Sequence, residues 1–150
     1  MPLDANALRT AGIPAPWTFG MADRVRFAEI DSLNHVNNVV YLRWYETLRV
    51  NYMDHYGIYD VAGPDPKFVV KTVGLDYQAE VMRGAPYINV ARTVAMRNTS
   101  FVMEYATFVD GKITTTGTAV VVILNADSSK RPLTGALRQI LIERDGAVQA

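Results

Sequence analysis

Between Arg26 and Arg49 a strand-like run gives way to a helix-like one, and this junction, RFAEIDSLNHVNNVVYLRWYETLR, constrains the chain more than any other stretch. Upstream, Val25, Phe27 and Glu29 alternate with Arg24, Arg26 and Ala28, the period of two that predicts a strand over Val25–Ile30. Downstream, Val40, Tyr41, Trp44, Tyr45, Leu48 and Tyr52 recur at spacings of three and four. That spacing predicts one helix from near Asn38 to near Tyr56, with Gly57 placed to end it. Leu42, Val50 and Met53 lie opposite the main stripe, so the helix is expected to be buried on most sides.

A loop with Gly63, Pro64 and Pro66 follows, and then four strand-forming runs: Phe68–Gln78, Tyr87–Met96, Phe101–Val109 and Lys112–Leu124. Asp110-Gly111 joins the last pair, a strong hairpin signal because both residues accept positive φ. A short helix is expected over Thr134–Ile142, with Thr134 as its N-cap. Residues 1–17 carry Pro2, Gly12, Pro14 and Pro16 and are expected to form an irregular arm. The order predicts an α+β domain in which a five-stranded antiparallel sheet wraps around one long central helix. Open sheet edges invite pairing with a second copy.

At 150 residues the chain fits one domain with one core. Lysine plus arginine equals aspartate plus glutamate, which gives no reason to expect nucleic acid or an anionic membrane as partner. Cysteine is absent, so disulfides and a cysteine nucleophile are excluded. Met1–Gly20 lacks the pattern of a signal peptide and no apolar run reaches membrane-spanning length, which makes the cytoplasm the default location.

The junction also holds the chemistry. Asp31, Asn34, His35, Asn37 and Asn38 lie between the two patterns. A helix N-terminus offers unpaired N–H groups to an oxyanion, and a carboxylate seven residues earlier could face it. Structural roles compete: Asp31 could cap the turn, His35 could be a packed or supporting residue, and Asn37 or Asn38 could cap the helix. Glu46 is expected to pair with Arg43 or Arg49, and is a reserve carboxylate. Asp31, His35 and His55 are too few and scattered for a metal site.

RFAEID, HVNN, Tyr41 and the helix with Glu46 and Arg49 together resemble the 4-hydroxybenzoyl-CoA thioesterase-like branch of the hotdog-fold superfamily, over about residues 18–125. The resemblance implies a hotdog fold and hydrolysis of an acyl-CoA thioester, with Asp31 as general base or nucleophile. It implies that the Asn38 backbone N–H polarises the thioester carbonyl, in a homodimer or homotetramer without any cofactor beyond the coenzyme A of the substrate. HVNN is also similar to the plant acyl-ACP thioesterases, a comparison that aligns Asp31 and His35 with a catalytic acid and histidine.

Tyr41, Trp44 and Tyr45 suit the core, and an exposed member could line an acyl pocket. The turn Arg97-Asn98-Thr99-Ser100 combines a cation with backbone and hydroxyl donors that suit a coenzyme A phosphate, or it is an ordinary polar hairpin. Lys130 and Arg131 form a second cationic patch. Two other functions share the fold: a non-catalytic acyl-CoA-binding protein, and a hydratase or dehydratase, whose N-P-x-H signature is missing here.

Overall fold

A computed structural model of the chain describes residues 2–150. The elements are β1 (Pro2–Leu3), α1 (Ala5–Thr10), β2 (Phe19–Arg24), α2 (Val40–His55), α3 (Ile58–Val61), β3 (Lys67–Tyr77), β4 (Pro86–Met96), β5 (Ser100–Val109), β6 (Lys112–Leu124), α4 (Gly135–Asp145) and β7 (Val148–Gln149). The strands form one sheet in the order β1-β2-β4-β5-β6-β3, and β7 adds in parallel to β4. Packed on α2, this is the α+β hotdog arrangement, with seven strands where five were expected. The two additional strands are the short terminal pairings β1 and β7, each only 2 residues long, too short to show a period.

Aromatic side chains tie α2 to the sheet. Tyr45 stacks on Tyr105 of β5 with ring centroids 4.9 Å apart, and Trp44 stacks on Tyr87 of β4 at 4.1 Å. Buried hydroxyls of the helix are satisfied as burial requires: Tyr45 Oη meets Thr107 Oγ1 at 2.9 Å, and Tyr52 Oη meets Thr93 Oγ1 at 2.7 Å. Gly57 ends the helix at φ 69°, and the Asp110-Gly111 turn adopts φ 51° and 74°, as their side chains permit. Thr134 caps α4 by accepting from the Leu137 N–H at 3.1 Å.

Four further expectations need correction. The first strand is not Val25–Ile30. Pairing with β4 runs over Phe19–Arg24, after which Val25 N–H donates to Ala85 and residues Phe27–Glu29 close a 3₁₀ turn. The Glu29 carboxylate stabilises that turn by accepting from Arg26 N–H at 2.7 Å, a local hydrogen bond that outcompetes a strand ladder. The N-terminal arm is likewise ordered: Asp4 caps α1, and Leu8 and Ile13 form a small second cluster with Val90, Ala106 and Phe108. Finally, α2 is buried less widely than expected: of the three residues opposite its main stripe only Met53 is buried. Leu42 and Val50 are exposed because the sheet covers one face, and Glu46 makes no ion pair among the described residues, since Arg49 donates instead to Tyr105 Oη at 3.1 Å.

Burial holds all eight tyrosines above the usual phenol value, desolvation being the largest cause for each. Phenols that stay protonated when folded but ionise when unfolded stabilise the fold fully below pH about 10 and progressively less above it. Each fully buried tyrosine, such as Tyr52, should then cost about 1.4 kcal/mol of stability per pH unit. Urea unfolding should therefore show a flat midpoint through neutral pH and a steep fall beginning near pH 10. A midpoint still unchanged one unit above that would contradict the burial described.

Candidate active site

The chain between β2 and α2 is held as a series of tight local turns. Asp31 N–H donates to His35 O, and Asn34 N–H donates to Asp31 O, both at 3.0 Å. Asn34 takes φ 65° to close the loop, a conformation asparagine tolerates better than most residues. Val36 N–H then donates to Val81 O at 2.8 Å, which brings the segment after β3 against the loop.

Within this frame the two oxygens of Asp31 have different tasks. Oδ1 accepts from Leu33 N–H at 2.9 Å and caps the turn, as the structural reading predicted. Oδ2 accepts no hydrogen bond from the described residues and lies 4.0 Å from His35 Nδ1. His35 Nε2 is 3.7 Å from Glu80 Oε1 on the other side of the ring. The imidazole thus stands between two carboxylates without hydrogen-bonding either. Because its two nitrogens point to different acids, the three groups do not converge on one point. Among the described residues no group of three or more acidic, histidine or cysteine side chains could hold a metal ion.

Asn37 Oδ1 accepts from Val39 N–H at 3.2 Å, and Asn37 O accepts from Val40 N–H at 3.0 Å. The 37–38 peptide is therefore aligned with α2. Its carbonyl points into the helix, so the Asn38 N–H points out from the helix start and finds no acceptor among the described residues. On the other side, Tyr77 donates its hydroxyl to Asn38 O at 2.7 Å. This contact joins the end of β3 to the start of α2.

Asp31, His35, Asn38, Tyr41, Tyr77 and Glu80 line one cavity of about 290 Å³. Tyr41 is buried, and desolvation raises its phenol and keeps the hydroxyl neutral. That hydroxyl faces Thr115 Oγ1 outside hydrogen-bonding geometry, leaving Thr115 Oγ1 the one sealed side-chain polar atom without a partner among the described residues. Tyr77 and Glu80 lie far along the chain, at and just after the end of β3, and carried no local signal that would have linked them to HVNN.

The structure does not bring the Arg97–Ser100 turn to this cavity. The turn closes through Arg97 N–H to Ser100 O at 2.8 Å, at the end of β4 away from the Asp31 loop. Eleven strand residues separate the two ends, about 33 Å. Arg138 and Leu133 donate to the carbonyls of Arg97 and Asn98 and hold the turn against α4. Of the second cationic patch, Arg131 is occupied by Asn125 and by the carbonyls of Ala62 and Pro64. No helix among the described residues is long and apolar enough to cross a membrane.

The family model of the thioesterase-like superfamily matches residues 25–140. Among solved structures, a thioesterase-superfamily protein from a Jannaschia species is 43% identical, with a TM-score of 0.91, and the match covers 100% of this chain and 97% of that one. A thioesterase from Thermus thermophilus, solved with coenzyme A and zinc, is 28% identical, with a TM-score of 0.74 over 85% of this chain and 94% of its own. A gentisyl-coenzyme A thioesterase, 16% identical with a TM-score of 0.71 over 81% of this chain and 98% of its own, shares the fold. No curated protein sequence matches the chain.

Proposed function

The chain belongs to the thioesterase-like superfamily, and from that premise we propose that it hydrolyses an acyl-CoA thioester to the free acid and coenzyme A. The observation that supports this reading is that Asp31, with one carboxylate oxygen unpartnered, and Asn38, with its N–H unpartnered among the described residues, line the same cavity. As base, Asp31 Oδ2 takes a proton from the water that attacks the carbonyl carbon. As nucleophile, it attacks that carbon itself and water opens the resulting anhydride. In either case the Asn38 N–H stabilises the oxyanion, the C–S bond breaks, and the thiolate leaves without strong acid assistance because its pKa is only about 8.5.

Tyr41, as a wall of the same cavity, is the side chain placed to contact the acyl group. The coenzyme A found with the Thermus thermophilus relative supports coenzyme A as the carrier here. The Arg97–Ser100 turn serves as its phosphate contact only if supplied by a second copy, since it lies at the far end of β4 from its own Asp31. Such a copy has a place to dock. β3 is the edge of the sheet, 11 residues long, with Val69, Val70, Val73 and Tyr77 exposed, the kind of edge that pairs with another strand.

Thiol release over a panel of aliphatic and aromatic acyl-CoAs, on protein whose mass is fixed by sedimentation, tests the reading. Hydrolysis of at least one member by a dimer or tetramer is expected. Tight acyl-CoA binding without any thiol release would make this a binding protein instead. A stable monomer would remove the partner-supplied Arg97.

A further inference from the structure

A second cavity lies farther along α2, between the helix and strands β2 and β4. Its lining includes Trp44, Leu48, Met21 and Tyr87, and Asn89 of β4. Tyr41, on the Asp31 side, and Thr47, at this cavity's mouth, point from α2 about 120° apart by helical rotation, and the two cavities share no lining residue. We propose that this cavity binds a small molecule with one aromatic ring and one oxygen that accepts a hydrogen bond.

The size argues for a single ring. The cavity holds about 160 Å³, close to the roughly 150 Å³ of an apolar protein cavity known to take up benzene. Its walls suit such a ring: Trp44 and Tyr87 are stacked into a fixed aromatic surface, and Trp44 is further pinned by Nε1 donating to Glu29 Oε2 at 2.6 Å.

The oxygen acceptor follows from Asn89, which is only 5% exposed. Thr107 Oγ1 donates to Asn89 Oδ1 at 2.7 Å. Having given its one proton, that hydroxyl accepts from Tyr45 Oη at 2.9 Å, and Tyr45 keeps its proton because burial raises its pKa. The relay commits Oδ1 and leaves Asn89 Nδ2 without a partner among the described residues. This donor is not sealed in protein, since the sealed unpartnered atom is Thr115 Oγ1, so Nδ2 opens on the cavity that Asn89 lines. A buried amide donor facing a ring-sized space selects a ring that carries an oxygen.

The mouth disfavours a cation. Asp23 is paired with Arg26 at 3.0 Å, and both Glu29 oxygens are occupied, while Arg43 makes no ion pair among the described residues.

Phenol and toluene are the probes, titrated into the full chain and followed by Trp44 fluorescence and the Asn89 side-chain amide resonance. Saturable phenol binding with Kd at or below about 1 mM is expected, tighter than toluene by roughly 3–10-fold, the worth of one neutral hydrogen bond. Asn89→Leu should abolish that preference. Thr47→Phe, an exposed position at the mouth that leaves the relay intact, should weaken both probes even if Asn89→Leu fails to fold. Asp31→Asn should bind phenol as the parent does, since the inference is independent of thioester hydrolysis. A response that never saturates, as from a cavity holding water only, would overturn the proposal. So would phenol affinity unchanged in Thr47→Phe, or a phenol preference retained in folded Asn89→Leu.

Discussion

Asp31→Asn is expected to lower kcat by at least about 10²-fold on any acyl-CoA the protein hydrolyses, with smaller effects on KM and melting temperature. The substitution separates the two tasks of this side chain. Asparagine retains an oxygen to accept from Leu33 N–H, so the turn that places Asn38 should persist. It removes the negative charge from the free oxygen, which is the one available to a water or a thioester carbonyl. His35→Ala should cost much less, because the ring is 4.0 Å from Asp31 and donates no hydrogen bond to it. Comparable losses in the two variants would favour an acid–histidine pair of the plant acyl-ACP type. A folded Asp31→Asn protein with near-normal turnover would falsify the proposed mechanism. The next carboxylate to test is then Glu80, at the same cavity, rather than Glu46, which is exposed and does not line it.

Asp145→Ala should destabilise the fold by about 3 kcal/mol or more, because it removes a carboxylate that accepts four hydrogen bonds. From the last residue of α4, one oxygen accepts from Thr18 Oγ1 at 2.5 Å and Tyr56 Oη at 3.2 Å, and the other from Tyr52 Oη and, at 2.8 Å, Thr93 N–H. These donors belong to α2 and the residue that follows it, to β4 and to the segment before β2, so one side chain pins α4 to three parts of the chain. Without it the buried Thr93 N–H has no acceptor. At about 2–4 °C per kcal/mol for a chain of this size, the melting temperature should fall by roughly 6–12 °C. Asp145→Asn should cost less. Its carboxamide oxygen can take the Tyr52 and Thr93 donors, while its NH₂ faces two hydroxyls able to rotate and accept. Calorimetry of both variants decides it, and a melting point for the alanine variant within about 1 °C of the parent would show that the network contributes little.

The elements that sequence reasoning placed correctly are those whose signal is local. The helix through Val40–His55, the four strands from Lys67 to Leu124, the Asp110-Gly111 turn and the Thr134 cap each follow from side-chain period or from one residue's backbone freedom. The grouping of the candidate residues was legible to the same extent. Asp31, His35, Asn38 and Tyr41 lie within eleven residues of one another, and the turn and helix start bring them to one cavity.

Where a local pattern met a competing hydrogen bond, the pattern misled. Val25–Ile30 alternates like a strand, yet the Glu29 carboxylate closes a 3₁₀ turn there and the strand forms six residues earlier, where β4 supplies a partner. The arm before it reads as irregular from its prolines, but Leu8 and Ile13 find apolar cover on a face of the sheet that exists only after β4 and β5 have paired.

By itself, the sequence determined which segments became helix or strand and which loop carries the carboxylate, since these depend on neighbours a few residues apart. Tertiary structure alone decided that Tyr77 grips the Asn38 carbonyl, that Arg97 lies a strand's length from Asp31, and that Asn89 turns a free donor toward a cavity. Those relations join residues 18 to 66 positions apart. They depend on which strands pair and in what register, which no local period specifies.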